Sequence, residues 1–316
     1  MAPAPREVGG AAAIAEPAPA GPDAGGGAAP DGTTSVPGTR WWVEVGAAAS
    51  VAVAYLSSPR SAPSTELIAE AERNAAGVLA LEERLGLDVE AAVQSAALGL
   101  GLPTALNWLY GTLHFLVTAV VLVHLFRCRP GRYQCWRGGF VASSLLAFAI
   151  YRLWPVAPPR LLPDGTGSTV LVDTLAEHPT LWDFQSGPMS EVANHYAAMP
   201  SMHAGWALFC ALALGLGRSG ATRIALLGYP LLTTMVIMAT GNHFLLDAVA
   251  GFAVVGVGLG AAHVVEVVLG RRAARDVAGY APARLPGGGP QGVWGGRTAT
   301  RRTGVLRTGR PFRDAA

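Results

Sequence analysis

The chain has 316 residues, of which 51% are hydrophobic and 14% are charged, and its mean hydropathy is positive. Soluble domains usually carry about 25% charged residues, so this composition argues against a soluble protein and favours a membrane protein. The net charge of +2 gives no reason to expect nucleic acid as a partner, and three cysteines are too few for a disulfide framework.

Both ends of the chain are predicted to be disordered. Residues 1–39 are rich in Ala, Gly and Pro, and they lack the basic start and apolar core of a signal peptide. Residues 271–316 are rich in Gly, Pro and Arg, with ten Arg against two Asp. A basic tail of this kind favours the anionic inner surface of a membrane over nucleic acid. The membrane domain is therefore predicted to span residues 40–270.

Six apolar segments between these tails predict an all-α bundle of six transmembrane helices. Residues 64–100 differ from them, because Glu and Arg alternate there with Leu, Ile and Val at helical spacing. This pattern predicts an amphipathic helix along the membrane surface. Residues 155–200 are rich in proline and predict a long polar loop. The predicted spans are residues 41–57, 104–126, 138–154, 203–217, 221–240 and 244–269.

The distribution of arginine predicts the orientation in the membrane. Arginines cluster in residues 127–137, in residues 218–223 and in the C-terminal tail, and a six-span chain places these three segments on one side. That side is predicted to be cytoplasmic by the positive-inside rule, and both termini lie there. The loop of residues 155–202 and the turn near His243 then face outward from a multi-pass protein of the cell membrane.

His243 and Asp247 stand four residues apart, so they share one face if the segment is helical. A carboxylate in that position can bind one imidazole nitrogen and leave the other as a base or a nucleophile. Ionisable groups near membrane spans are costly, which favours a functional role. The alternative is a buried pair that only ties helices together.

A second candidate motif runs from Pro200 to His203 and precedes an apolar segment. Proline is common at helix starts, and the free N–H groups of a helix start bind anions. The hydroxyl of Ser201 adds a donor, and His203 falls in the first turn, on the outer side like His243. The alternative is a helix cap with an interfacial histidine.

Two arginines flank the end of the third predicted span, Arg152 and Arg160. The planar guanidinium group binds pairs of phosphate oxygens, so either residue is a candidate phosphate ligand. An interfacial belt of Arg and Trp explains the same residues without a ligand. In the second predicted span, Asn107, Tyr110 and His114 share one face. They either line a pocket or bond across helices, and bonding across helices is favoured.

Together these motifs resemble a known family. Pro200-Ser201-Met202-His203, followed forty residues later by His243-x3-Asp247, resembles the type 2 phosphatidic acid phosphatase superfamily. The segments 157–160, 198–203 and 241–247 are most similar to its branch of inositol phosphorylceramide synthase-like proteins, the inositolphosphotransferases. The Asn-x2-Tyr-x3-His pattern of residues 107–114 is similar to bacterial members of that branch. The resemblance covers about residues 40–270.

The resemblance implies an enzyme of lipid metabolism that acts on a lipid phosphate or phospholipid without a metal or cofactor. It implies that His243 attacks phosphorus to form a phosphohistidine, that Asp247 orients His243, and that His203 transfers the proton. It leaves open whether water or an alcohol accepts the phosphate. The residues expected to hold the substrate are Arg160, Arg152, Ser201 and Asn242.

The chain also departs from the superfamily pattern, in which the first motif usually offers a lysine and the third begins with Ser-Arg. Here there is no lysine, and Val236 and Ile237 occupy the Ser-Arg positions. The phosphate pocket is thus expected to be less basic than is usual, which bears on the substrate more than on the chemistry.

Two other classes of protein compete with the enzyme. In a metal-binding membrane protein, His203, His243 and Asp247 would ligate zinc, but Arg160 beside a cation would be unfavourable. A transporter or a structural membrane protein would be expected to show inverted repeats or broken helices, and neither is evident in the sequence.

Overall fold

The computed structural model describes residues 41–57, 63–163, 166, 171–181, 193–215 and 218–279. The chain divides into two compact units, Met1–Glu266 and Val267–Ala316. The described part of the second unit is helical as far as Gly279, within the segment predicted as a tail. The remainder of that tail and all of residues 1–39 lie outside the described residues.

Regular structure in the described residues is helical, which confirms the all-α prediction. A short 3-10 helix spans Pro159–Leu161, and one isolated bridge pairs Val156 with Ala197. The α-helices, in chain order, are α1 Trp41–Leu56, α2 Thr65–Leu85, α3 Glu90–Gly99, α4 Pro103–Cys128, α5 Pro130–Leu153, α6 Thr174–Glu177, α7 Met202–Gly215, α8 Gly220–Ala239 and α9 Leu245–Gly279.

Each of the six predicted spans falls in a helix, but six crossings are not confirmed. Among the described residues, three helical stretches are long and apolar enough to cross a membrane: Pro103–Cys128, Gly220–Ala239 and Leu245–Arg271. Helices α1 and α7 are apolar but shorter. Helix α5 has the length, but its first half is polar and carries Arg132 and Arg137. The prediction of six spans differs from this result because some of the helices are too short or too polar. The described residues therefore show membrane-like helices, and the number of crossings is not established.

The amphipathic segment forms two helices instead of one. Helix α2 begins at the N-cap Ser64, whose Oγ accepts from the Leu67 N–H, and ends at Gly86, whose φ of +67° suits glycine. Its buried face includes Ala71, Ala75 and Val78. Both α2 and α3 hold the loops beside the site, since Asn74 donates to the Pro155 carbonyl and Gln94 to the Val172 carbonyl.

Close packing of α7 on α9 brings the starts of these two helices together. A Cβ placed on Gly251 of α9 would lie 2.1 Å from the Ser201 carbonyl oxygen, so only glycine fits there. The Ser201 N–H donates to the Asp247 carbonyl over 2.8 Å. Small residues of this kind allow membrane helices to approach closely. The two histidine motifs are therefore joined at the backbone.

Candidate active site

A cavity of about 650 Å³ lies where the motifs meet. Four of the seven predicted site residues line it: His203, His243, Arg160 and Asn242. The remaining wall is mainly apolar and aromatic. Helices α1, α4 and α5 contribute most of that wall, including Val51, Tyr55, Phe115, Leu122, Phe140 and Phe148. The cavity thus joins a small polar corner to a long apolar surface.

The imidazole of His243 is held through its Nδ1 atom. Nδ1 lies 2.8 Å from the Ala198 carbonyl oxygen and 3.2 Å from Oδ2 of Asp247. A carbonyl oxygen only accepts hydrogen bonds, so Nδ1 carries the proton and donates. In the neutral imidazole, the other nitrogen, Nε2, then keeps its lone pair. This tautomer is the one that a nucleophilic histidine needs.

Asp247 lies in the first turn of α9 and is fully buried. Its Oδ2 accepts from the Phe244 N–H over 2.9 Å as well as from His243. The carboxylate is therefore fixed within the turn that directly follows His243, which itself precedes the helix. Asp247 does not line the cavity, and it contacts the Nδ1 atom of His243 from outside the cavity wall.

His203 is the second residue of α7 and faces the cavity beside His243. The centroids of the two imidazole rings are 5.5 Å apart. The ring of Tyr110 stacks on His203 at 4.3 Å, and the ring of His114 lies 4.0 Å away. These rings restrict the position of the His203 imidazole. The structure thus brings both histidines of the sequence motifs to one point.

Arg160 is held beside the histidines by three contacts. Its Nη1 donates to Oδ1 of Asn242, and its Nε lies 3.2 Å from Oδ2 of Asp173. Its backbone N–H group donates to the Gly241 carbonyl. Asn242 is fixed in turn, because its Nδ2 donates to Oγ1 of Thr240 over 2.8 Å. The guanidinium group is thus oriented at the cavity wall before any ligand binds.

The start of α7 offers further donors. The backbone N–H groups of His203 and Ala204 make no hydrogen bond to any other described residue. Such N–H groups carry the positive end of the helix dipole and bind anions. Of these two residues, His203 lines the cavity together with Arg160, whereas Ala204 is fully buried and does not line it. An anion at this corner would meet donors from two directions.

The structure does not bring two of the predicted substrate residues to the cavity. Arg152 is exposed at the end of α5 and is not part of the cavity wall. Ser201 is buried, and its Oγ has no hydrogen-bond partner among the described residues. It lies at the junction of α7 with α9, where its backbone makes the contacts.

Residues in the second span behave in two ways. Asn107 bonds across helices, since its Nδ2 donates to the Thr174 and His178 carbonyls. Tyr110 and His114 instead line the cavity, and His114 Nδ1 lies 3.0 Å from the Tyr110 carbonyl. The bonding across helices that the sequence favoured is therefore seen at Asn107. Their shared helix face was the signal for a pocket.

His195 is a site residue that sequence analysis missed. It lines the cavity, and burial lowers the pKa of its side chain, with a further decrease from Arg160 that Asp173 opposes. It is therefore neutral at pH 7. Neither His195 nor Asp173 stands in a spaced motif, and both reach the site from a loop. No sequence pattern would have identified them.

Among the described residues, His203, His243 and Asp247 are not a group whose ligand atoms all lie within reach of one metal ion. Both hydrogen-bonding partners of His243 Nδ1 are protein oxygens, and Oδ2 of Asp247 accepts from two donors. Among the described residues, metal-ligand atoms converge only elsewhere, at Cys135, His263 and Glu266. Metal analysis of the purified protein tests the zinc alternative.

Comparison with known proteins agrees with this geometry. The family model described as PAP2 superfamily matches residues 76–261, which is more than half of the chain and includes both histidine motifs. Neither the curated proteins nor the solved structures include a match. The PAP2 superfamily comprises phosphatases and phosphotransferases. On the evidence of this match, the chain belongs to the PAP2 superfamily.

Proposed function

We propose that this protein is a membrane-embedded lipid phosphatase or phosphotransferase that works through a phosphohistidine on His243. The observation that carries the proposal is the Nδ1 contact of His243 with the Ala198 carbonyl and Asp247. This contact leaves Nε2 with its lone pair, in a histidine that lines the cavity with His203. An oriented nucleophile beside a second histidine supports covalent transfer.

The reaction has two balanced steps. In the first, His243 Nε2 forms a bond to phosphorus, the bond from phosphorus to the leaving oxygen breaks, and protonated His203 gives that oxygen its proton. Asp247 stabilises the positive charge that develops on His243. In the second step, neutral His203 takes a proton from the incoming acceptor, whose oxygen attacks phosphorus. The P–N bond breaks, and both histidines return to their initial states.

The phosphate oxygens are held by Arg160 and by the backbone N–H group of His203, two residues that line the cavity. Arg160 is a fork of donors that Asn242 orients, and donors placed in advance at the developing charge are worth the most. Arg152 and Ser201 are left out of this set because neither lines the cavity. The site uses no metal or cofactor in this proposal.

The apolar wall of the cavity supports a lipid as the substrate. The wall extends along α5 from Tyr151 near the histidines to Arg137, which is paired with Glu44. At a rise of 1.5 Å per residue, this stretch is about 20 Å long. The hydrocarbon half of a bilayer is about 15 Å deep. An acyl chain can therefore lie along the wall while its phosphate reaches the histidines.

Membrane placement and acceptor complete the proposal. The arginine-rich segments lie on the cytoplasmic side of the cell membrane with both termini, and the histidines face outward. Similarity to the inositol phosphorylceramide synthase-like branch favours transfer to an inositol-like head group over hydrolysis.

Phosphate release from a panel of lipid phosphates tests the proposal. Purified protein in detergent is assayed with and without myo-inositol or diacylglycerol, beside His243→Ala and the control His263→Ala. His263 is exposed and does not line the cavity. We expect activity in the wild type and the control only, and the product identifies the acceptor. Equal activity in His243→Ala, with contaminants excluded, would mean that His243 is structural.

A further inference from the structure

Two glutamates from other helices cap the N-terminus of α9. Oε1 of Glu90 accepts from the Leu245 N–H over 2.7 Å, and Oε1 of Glu82 accepts from the Leu246 N–H over 2.7 Å. Glu82 lies on α2 and Glu90 on α3. These helices contribute neither histidine, yet they reach the turn that follows His243.

With these contacts, each N–H group in the first turn of α9 has a partner. The Phe244 N–H donates to Asp247 Oδ2, and the Asp247 N–H donates to the Phe244 carbonyl. Helix starts normally leave such groups to water or to local caps. Here the caps of Leu245 and Leu246 come from distant parts of the chain.

The glutamates are buried, although sequence analysis placed Glu82 among the polar positions of an amphipathic pattern. Glu82 is 0% exposed and Glu90 is 4% exposed. Burial, together with the nearby charges of Glu90 and Asp247, raises the pKa of Glu82 to about 8. Glu82 is therefore mostly protonated at pH 7, which reduces repulsion among three carboxyl groups.

We infer that Glu82 and Glu90 are positioning residues for the phosphotransfer site, holding the first turn of α9 and with it the His243–Asp247 pair. The inference rests on the proposed function. Neither glutamate lines the cavity, so both act through the backbone of α9. Because the Ser201 N–H donates to the Asp247 carbonyl, a shift of this turn would also move the start of α7.

A small displacement of the turn has a large consequence for the reaction. Nucleophilic attack requires the reacting atoms to be about 3–3.5 Å apart, and a misplacement of about 1 Å can lower the rate roughly 100-fold. The guanidinium group of Arg160 keeps its ion pair with Asp173, which lies outside this turn. Loss of the glutamate contacts should therefore lower kcat more than it raises KM.

Three variants test the inference. In Glu82→Gln the amide oxygen still accepts from Leu246, so we expect kcat at pH 7 within about 2-fold of the wild type. In Glu82→Ala the N–H loses its partner, and we expect kcat to fall at least 10-fold with KM changed less than 3-fold. The matched control is Glu83→Gln, at an exposed neighbouring glutamate, which should match the wild type.

The pH profile adds a readout that a passive contact would not change. The titratable groups that interact with Glu82 are Glu90 from α3 and Asp247 from α9. Above about pH 8, Glu82 ionises beside these carboxylates and repels them. We expect the ratio of wild-type kcat to Glu82→Gln kcat to fall as the pH passes 8. Glu83→Gln should show no such change.

The outcomes separate this inference from the proposed function. Wild-type kcat in Glu82→Ala, or a kcat ratio to Glu82→Gln that stays constant with pH, would overturn the inference while His243→Ala remains inactive. If the wild type and His243→Ala were equally inert on every lipid phosphate, the proposed function would fail. Thermal unfolding would then test only whether the Glu82 contact with the Leu246 N–H stabilises the fold. The contact is stabilising if Glu82→Ala lowers Tm and Glu82→Gln does not. It is not stabilising if both variants have the Tm of the wild type.

Discussion

Helices α7 and α9 begin side by side, yet their first turns differ in how the N–H groups are used. At the start of α7, the N–H groups of His203 and Ala204 bond to no other described residue. At the start of α9, carboxyl groups occupy the N–H groups of Phe244, Leu245 and Leu246. The first turn of α7, called the open turn because the N–H groups of His203 and Ala204 are unoccupied in the described part of the chain, is suited to bind a phosphate. The first turn of α9, called the closed turn because carboxyl groups occupy its N–H groups, is suited to fix the position of His243.

The difference shows how one physical property serves two purposes. Both turns carry the positive end of a helix dipole. In α9, carboxyl groups of the protein bind the N–H groups at this positive end. These contacts fix Asp247 and His243 without a ligand. In α7 the positive end stays available for an anion. Four predictions test this contrast, in order of decreasing effect.

Replacement of Asp247 by Ala should have the largest effect, because it removes a partner of His243 and the cap on Phe244. Loss of the carboxylate that orients a catalytic histidine lowers kcat by roughly 10⁴-fold in well-studied triads. We expect a decrease of about 10³-fold or more in steady-state kcat on a lipid phosphate. A kcat within 10-fold of the wild type would show that the closed turn does not support catalysis.

Replacement of Gly251 by Ala should separate the two turns. The added Cβ would lie 2.1 Å from the Ser201 carbonyl oxygen, so the backbones of α7 and α9 must move apart. We expect a loss of activity of roughly 100-fold, since about 1 Å of displacement has that effect, and a lower Tm. The control is Gly256→Ala on the same helix, where no atom lies within 4 Å. Equal behaviour of the two variants would contradict the close junction.

Replacement of Arg160 by Ala should weaken the binding of the phosphate group at the cavity. A hydrogen bond to a charged group contributes roughly 1.5–3 kcal/mol, so we expect kcat/KM to fall about 30-fold. Arg152→Ala is the matched control, because Arg152 is exposed and lies outside the cavity wall. It should stay within about 2-fold of the wild type. A larger loss in Arg152→Ala than in Arg160→Ala would exchange the roles of the two arginines.

The smallest effect concerns stability at the closed turn. The folded pKa of Glu82, about 8, lies above its usual value of 4.5, so folded protein binds the proton more tightly than unfolded protein does. The stabilisation is complete below pH 4.5 and declines as the pH rises to about 8. We expect the Tm of the wild type, relative to Glu82→Gln, to fall between pH 5 and 8 and then level off. A constant difference would mean that Glu82 is ionised throughout.

The sequence predicted the local features of the site better than the long-range ones. The i,i+4 spacing of His243 and Asp247 and the proline before His203 are set within a few residues, and the structure places them in one corner. The all-α class followed from long apolar segments. The number of crossings did not, because α1 and α7 are short and the first half of α5 is polar.

Contacts between distant segments lay beyond the sequence. Glu82 looked like one charge among several on an amphipathic helix, and only packing against α9 shows that it is buried. Arg152 and Arg160 were equal candidates, and the direction of the chain after α5 decides which one reaches the cavity. Gln94 holds the Val172 segment for a reason that no spacing reveals.

Detection of a phosphohistidine on His243 is the most direct test of the proposed covalent mechanism. Wild type, His243→Ala and Glu83→Gln are incubated with a ³²P-labelled lipid phosphate, quenched in alkali, which preserves phosphohistidine, and mapped by peptide. We expect label on the His243 peptide of the wild type and of Glu83→Gln, and none in His243→Ala. Turnover by the wild type without label on that peptide, or equal labelling of His243→Ala, would contradict that mechanism.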